Sequence, residues 1–518
     1  MYSFSRSLRR AALVNPNGIA TRFEGRETSW PQALEQVQRF ASVLSSAGVS
    51  ADVRVGILGT NSEAYFQALF AIPWAGGISV PINWRLALPE IIHCLDDAGV
   101  KVLLVDDAFA HLVPEILANS PGIEQVISIG QEKAPNTLSL QELLGSAELM
   151  QDSGRGGDDI VSLYYTGGTT GKAKGVILTH EAFLVNVLQW AFSVGVGRKD
   201  VFLIVAPLFH LVGGLNAVAA AMLGACVCIV RKFDAGELVK EMVRSEVTKA
   251  ALVPIMIDAI VACLDRQPTD LSTLRRISYG GAPMTETSLQ RAIKALPHAQ
   301  FYQVYGQTEG GPNISVLMPE YHVLEGELAG KLRSAGQPII GTEIAILDEE
   351  GNELPRGEVG EICVTGLTLS PGYWNLPEVT AEAHRHGWLH TGDGGYIDDE
   401  GFIFIVDRIK DMIITGGENV YSAEVENVLS QHPAIEQCVV IGIPSERWGE
   451  QVHAVVRLRE GATVSEAELL THCRSQLAGY KCIRSVDFRT EPFPVSGANK
   501  ILKREVREPY WSARKRRV

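Results

Sequence analysis

The residues best equipped for chemistry form one run, Tyr-Tyr-Thr-Gly-Gly-Thr-Thr-Gly-Lys-Ala-Lys-Gly at 164–175. Short apolar runs at 160–163 and 176–179 flank it, which predicts two β-like arms joined by a donor-rich turn at a sheet edge. Such a loop suits a polyphosphate. Gly167, Gly168 and Gly171 let backbone N–H groups approach an anion, Thr166, Thr169 and Thr170 add hydroxyl donors, and Lys172 and Lys174 add positive charge. It is not a Walker loop, because Thr166 stands where that motif requires its first glycine and Ala173 follows Lys172. Taken alone, the run also fits a flexible surface turn, and the rest of the chain has to decide.

The elements that must position this run alternate. Strand 53–58, helix 63–74, strand 78–81, helix 89–98 and strand 102–105 precede it. Strand 201–205, helix 214–223 and strands 226–230, 251–254, 276–279 and 301–305 follow, with a further helix opened by an Asp234/Glu237 capping box. Alternation of this kind implies parallel sheet with helices on its faces. Composition shifts over 334–407 to β-branched residues and turns such as Glu350-Gly351-Asn352, predicting a small antiparallel sheet or distorted barrel. Beyond Arg408, helix 423–429, strands 436–441 and 452–458, helix 466–477 behind a Ser465/Glu468 capping box, and a last helix near 501–510 make a small α+β domain. The expected fold class is therefore α/β: a large N-terminal domain of parallel sheets flanked by helices plus a small distorted β-barrel, then a small α+β C-terminal domain.

Composition excludes several functions. A net charge of −14 and a pI near 5.4 argue against a nucleic-acid surface, and the one basic cluster, Arg514-Lys515-Arg516-Arg517, reads as a solvated tail. The eight cysteines form no Cys-x-x-Cys pair and read as buried thiols of a reducing, cytoplasmic compartment. The N-terminal Arg6, Arg9 and Arg10 precede too short an apolar stretch for a signal peptide. Residues 201–230 lack any charge and are long enough for a bilayer, but Pro207, His210, Gly213, Gly214 and Asn216 divide them into strand, helix and strand, so no integral membrane span is expected. His384, His386 and His390 have no cysteine or carboxylate set at zinc-ligand spacing, and no Gly-x-Ser-x-Gly elbow occurs.

Further segments join the glycine loop: Ala-Pro-Leu-Phe-His at 206–210, Tyr-Gln-Val-Tyr-Gly-Gln-Thr-Glu at 302–309, Thr-Gly-Asp at 391–393, Asp-Arg-Ile-Lys-Asp at 407–411, and 494–500. In this order and at these separations they resemble the adenylate-forming superfamily of acyl-CoA synthetases, peptide-synthetase adenylation domains and beetle luciferases. The resemblance covers nearly the whole chain and is strongest to the fatty-acyl and 4-coumarate CoA ligase branch, notably at 408–420.

That resemblance implies a role for each motif. The loop from Thr166 to Lys174 would wrap the β- and γ-phosphates of ATP, although Ala173 replaces the family's proline and Gly167 its frequent serine. Thr308 would donate to the α-phosphate, and Glu309 would hold Mg²⁺, which needs one or two carboxylates beside phosphates and waters. Gly281, Ala282, Pro283 and Tyr305, followed by Gly306, would enclose adenine; Asp393 would accept from the ribose hydroxyls and Arg408 would bind ribose or phosphate. Lys500 would be the adenylation lysine, in a loop where Asn499 replaces the family's glycine. Lys410 would be the hinge about which domain 410–518 rotates against domain 1–409, bringing Gly416, Gly417, Glu418 and Asn419 to the coenzyme A tunnel. His210, with Gly213, Gly214, Gly310 and Gly311, falls where the acyl pocket begins. Taken by itself, His210 equally fits a satisfied histidine at a strand end. Residues 201–233 hold no carboxylate to pair a substrate ammonium, so the acid carries no α-amino group.

The implied activity is ATP- and Mg²⁺-dependent ligation of a hydrophobic carboxylic acid to coenzyme A through an acyl-adenylate. Its rivals are an aryl-CoA ligase, an enzyme loading a carrier protein, and a non-catalytic nucleotide-binding protein on the same fold. The sequence leaves a homodimer open.

Overall fold

The computed structural model describes residues 2–131, 137–166, 172–282, 284–409, 411–495 and 501–511. Two large sheets dominate it. The seven-stranded sheet runs Leu138–Ser139, Gln125–Ser128, Val102–Val105, Arg54–Leu58, Ile78–Pro81, Ile160–Thr166, Lys174–Thr179. It is parallel except for its last pair, the arms of the glycine loop. The nine-stranded sheet is parallel from Ile19–Phe23 through Cys226–Ile229, Val201–Ile204, Lys249–Leu252 and Arg276–Gly280 to Gln300–Gln307. Antiparallel strands close both of its edges.

Helices Glu63–Trp74, His180–Val194 and Leu211–Leu223 lie between these sheets. Residues 65–74 are all buried, as expected of a helix that is apolar on every side. One continuous core joins Val55, Ile57 and Val102 of one sheet, through Phe66, Phe70, Trp190 and Ala219 of the helices, to Phe202, Val227 and Ile229 of the other. The outer faces are covered separately, by helices carrying Leu238, Ile257 and Leu289 on the large sheet and Ile91 and Ile116 on the smaller. Residues 201–230 are the strand, helix and strand at the centre of this core. Among the described residues no helix is long and apolar enough to cross a membrane.

A third, wholly antiparallel sheet of Thr342–Leu347, Gly360–Gly366, Trp388–Ile397, His384–Arg385 and Ile403–Arg408 occupies the region expected to be a distorted barrel. The C-terminal α+β unit follows, with hairpins Ile413–Thr415/Glu418–Val420 and Ile435–Ser445/Gly449–Leu458 and helices Ser422–Ser430, Glu466–Arg474 and Lys503–Trp511. Asp407 joins the two parts: its Oδ2 accepts from the Ser422 backbone N–H and hydroxyl, each at 2.6 Å.

Several local expectations need correction. The strand expected at 251–254 is Lys249–Leu252, because Pro254, with no N–H to give a ladder, opens helix Pro254–Arg266 instead. The helix expected from 214 begins at Leu211, with His210 at its N-cap position. Asp234 caps its helix by accepting from the Glu237 N–H, but Glu237 turns to Lys240 (2.7 Å), whereas the Ser465/Glu468 box is reciprocal. Helices Phe4–Val14 and Trp30–Ser46 have no counterpart in the sequence reading. All eight cysteines are free, five of them buried.

Candidate active site

The glycine-loop arms are longer than the flanking apolar runs suggest. Strands Ile160–Thr166 and Lys174–Thr179 stay paired to Thr166 opposite Lys174, so the polar residues Tyr164, Tyr165 and Thr166 are themselves strand. Two contacts hold the arms and a third braces Asp97: Tyr165 Oη donates to Asp97 Oδ2 (2.6 Å), His93 Nε2 meets the Ala173 carbonyl (3.1 Å), and Trp374 Nε1 donates to the Asp97 carbonyl (3.1 Å). Residues 370–374 run beside the outgoing arm, with Ile177 N–H donating to Gly372 O (3.0 Å) and Trp374 N–H to Gly175 O (2.7 Å). Gly167, Gly168, Thr169, Thr170 and Gly171 lie outside the described residues; Lys172 lies two residues before the outgoing arm.

Thr308 and Glu309 form a 3-10 turn between strands Gln300–Gln307 and Gly311–Leu317. The turn brings Glu309 to the loop. Its Oε1 accepts from Tyr373 Oη at 3.0 Å and from Thr166 Oγ1 at 3.4 Å. Its backbone is held too, with Ser370 N–H donating to Glu309 O (2.8 Å) and Thr368 Oγ1 to Gly310 O (3.0 Å). An all-oxygen set at a single carboxylate fits magnesium and does not fit a softer metal.

The second half of the site hangs on Asp393. Tyr305 Oη donates to its Oδ2 (2.8 Å), and Arg408, its cross-strand partner, approaches Oδ1 with Nε at 3.6 Å. Burial first, then the Asp393 charge, push the Tyr305 phenol well above its ordinary range, so it remains a donor. The Thr391-Gly392-Asp393 turn is held by a carboxylate behind it: Glu361 Oε1 accepts from Gly392 N–H (2.9 Å), while Oε2 meets His390 Nδ1 (2.7 Å) and Arg385 (3.1 Å). Cys363 joins this group, its Sγ 3.3 Å from His390 Nδ1. Glu361 is engaged by Gly392, His390 and Arg385 together, so the group holds the turn in place, and burial pushes the Cys363 thiol up to about 12. On the opposite side, Gly281 (φ +78°) and Ala282 follow the strand that ends at Gly280, and a side chain at Gly280 would strike the Val304 carbonyl. Pro283 lies outside the described residues.

His210 stands at the N-cap position of helix Leu211–Leu223, its ring 4.5 Å from that of Phe209. Gly213 and Gly214 do not leave open space. A Cβ on Gly213 would strike the Pro207 carbonyl and one on Gly214 the Tyr164 hydroxyl, so both let the helix start close against its neighbours. Gly311 (φ +81°) is similarly tight, 2.9 Å from Asn186 Nδ2 to a built Cβ, while Gly310 and Gly306 pack on Ile314 and the Pro312 carbonyl. A small apolar cavity opens among Phe183, Leu211, Leu215, Gly311 and Thr368.

On the C-terminal unit, Gly416 (φ +64°) and Gly417 (φ +88°) form the two-residue turn of a hairpin in which Thr415 pairs Glu418 and Ile414 pairs Asn419. The turn rests on Trp448, whose carbonyl accepts from Gly416 N–H (2.8 Å) and whose ring is approached by the guanidinium carbons of Arg447 (4.6 Å) and Arg484 (4.7 Å). Lys410 and Lys500 lie outside the described residues.

Two interleaved α/β sheets, an antiparallel half-barrel sheet and an appended α+β unit define the architecture of an adenylate-forming enzyme. The AMP-binding enzyme family matches residues 8–374, and its C-terminal domain matches residues 424–500. The chain therefore belongs to the AMP-binding enzyme family. It is 37% identical, over 97% of its length and 95% of the relative's, to the fatty acid–[acyl-carrier-protein] ligase ScoC of Streptomyces coeruleorubidus. It is 38% identical to a feruloyl-CoA synthase of Amycolatopsis, covering 97% and 98% of the two chains. Among solved structures, the o-succinylbenzoate CoA synthetase MenE of Bacillus subtilis, in complex with its acyl-adenylate, superposes with a TM-score of 0.85 at 30% identity and 99% coverage of both chains.

Proposed function

We propose that this AMP-binding enzyme is an acid–CoA ligase that activates a hydrophobic carboxylic acid as its acyl-adenylate and then transfers the acyl group to the coenzyme A thiol, releasing pyrophosphate and AMP. The observation that carries the reading is convergence. Glu309 bonds to Thr166 on the glycine-loop arm, and Tyr305, four residues before it, bonds to Asp393, so groups far apart in the chain face one cleft.

In that cleft Asp393 and Arg408 would hold the ribose side, Thr308 the α-phosphate and Lys172 and Lys174 the outer phosphates. Magnesium, when bound at Glu309, supplies charge neutralisation at the phosphates. Lys500 would enter to neutralise charge as the carboxylate attacks the α-phosphorus. Relatives acting on fatty and feruloyl acids fit the absence of any carboxylate over 201–233, near the acyl side. Eight free thiols fit a reducing cytoplasm.

The test is pyrophosphate release across aliphatic, aryl and amino acids, followed by acceptor choice. Release with hydrophobic acids and thioester formation with free coenzyme A are expected; release with amino acids alone would overturn the reading. A carrier-protein acceptor is the second reading, favoured by the likeness to ScoC, and a phosphopantetheinylated carrier offered beside free coenzyme A separates the two.

A further inference from the structure

Glu309 reaches the cleft by itself, but its orientation is set by a side chain that none of the motifs contains. Tyr373 donates its hydroxyl to Glu309 Oε1 at 3.0 Å, and Thr166 donates to the same oxygen at 3.4 Å. Among the described residues no donor meets Oε2. One oxygen of the carboxylate is thus held by two hydroxyls while the other is presented.

Tyr373 is itself fixed from several directions. Its backbone forms a bridge with Val176 and donates to Thr380 Oγ1 at 2.9 Å. Its neighbours are locked as well: Ser370 Oγ donates to the Ile177 carbonyl (2.7 Å) and accepts from Gly372 N–H (3.0 Å). At Gly372 (φ +138°) a side chain would collide with Thr380, so the chain turns there only as glycine. Lys174, the first residue of the outgoing loop arm, lies over the Tyr373 ring with Nζ 4.8 Å from its centre.

We propose that Tyr373 is a positioning residue for the metal carboxylate: it fixes the Glu309 rotamer before the cation arrives and leaves Oε2 as the ligand oxygen. This rests on the reading of Glu309 as the magnesium ligand. An outer partner that orders a ligand contributes by removing the disorder the ligand would otherwise lose on binding, and it selects which oxygen faces the metal.

The experiment uses the full chain, Mn²⁺ as a spectroscopic substitute for Mg²⁺, and a non-hydrolysable ATP analogue. Electron paramagnetic resonance counts bound Mn²⁺ in wild type, Tyr373→Phe and Glu309→Gln. Tyr373→Phe is expected to weaken Mn²⁺ binding about ten- to a hundredfold. Analogue binding in EDTA and the melting temperature should stay at wild-type values, and in pyrophosphate exchange the variant should need more Mg²⁺ yet reach the wild-type rate at saturation. If Glu309→Gln weakens Mn²⁺ binding and Tyr373→Phe does not, the positioning role is overturned while the metal reading stands. If Glu309→Gln leaves Mn²⁺ binding unchanged, both fall.

Discussion

The Tyr305 hydroxyl and the Asp393 carboxylate are 88 residues apart in the chain and 2.8 Å apart in space. If the Tyr305 ring lies against adenine and Asp393 takes the ribose, this bond fixes the spacing between base and sugar sites. A hydrogen bond to a charged partner contributes about 1.5–3 kcal/mol. Tyr305→Phe should therefore raise the KM for ATP about ten- to a hundredfold with little change in kcat. Steady-state kinetics of adenylation decides it, and an unchanged KM would separate the bond from nucleotide binding. At this scale the sequence was informative for residues that sit inside ordered motifs: Glu309, Tyr305, Asp393 and Arg408 do meet around one cleft. It was silent on Tyr373, Glu361 and Asp97, which hold those residues from other strands. Their partners are set by sheet pairing at long range, which no local spacing encodes. The Gly372-Tyr373 pair was the one available signal, a glycine needed for its backbone and a tyrosine beside it. The glycines near His210 pack on the protein itself, and since a small residue can make room for a ligand or for the protein, only packing tells the two apart.

Two elements carry predictions of their own. The Gly416-Gly417 turn lies on Trp448, and the guanidinium groups of Arg447 and Arg484 flank that ring. An aromatic platform with two cations suits a phosphorylated adenosine, which free coenzyme A carries and a carrier-bound pantetheine lacks. Base stacking contributes about 1–3 kcal/mol. Trp448→Ala should accordingly raise the KM for coenzyme A about tenfold and leave pyrophosphate exchange unchanged; equal effects with a carrier-protein acceptor would remove the platform from the account. The N-terminal helix Phe4–Val14 was not legible because its apolar face shows only once it docks: Phe4, Leu8 and Ala11 are buried while Arg9, Arg10 and Leu13 are exposed. Its start is held by His180 Nδ1, which accepts from the Phe4 N–H at 3.3 Å and must be neutral to do so. Burial lowers His180 to about 4, against the coulombic effects of Asp159 and Asp152 and with that of Arg155. Between about 6.5 and 4 the unfolded chain binds a proton that the folded chain refuses, so stability is lost as pH falls through that window. From pH 7 to 5 this residue should cost about 2 kcal/mol. Unfolding curves at the two pH values check it, with His180→Gln expected to lose less; His322, also lowered to about 4 by burial, leaves part of the acid sensitivity in place.

At the scale of the whole molecule, the large domain holds the nucleotide-side groups while the C-terminal unit carries two distant candidates for the same cleft, the Gly416-Gly417 turn and Lys500. Alternating β and α patterns made the large domain readable from sequence, since its parallel strands are short apolar runs between amphipathic or wholly apolar helices. How the two parts sit together was not, because it depends on a few side chains such as Asp407, which caps Ser422 across the junction. The family resemblance implies that the two candidates enter the cleft in turn, so the C-terminal unit is proposed to rotate about Lys410 between the half-reactions. In the first orientation Lys500 would neutralise the acyl-phosphoryl transition state, and loss of such a placed donor costs about a hundred- to a thousandfold. In the second, the turn would line the thiol's path, where its two glycines at positive φ would keep side chains out. Lys500→Ala should therefore abolish acyl-adenylate formation from acid and ATP yet convert supplied acyl-adenylate and coenzyme A to thioester at near the wild-type rate. Lys410→Pro should spare the first step and stall the second, because a proline at the pivot removes the φ freedom that rotation needs. Single-turnover assays of each half-reaction on the folded variants read both outcomes. Equal loss of the two half-reactions in Lys500→Ala would mean that a single arrangement of the domains serves both.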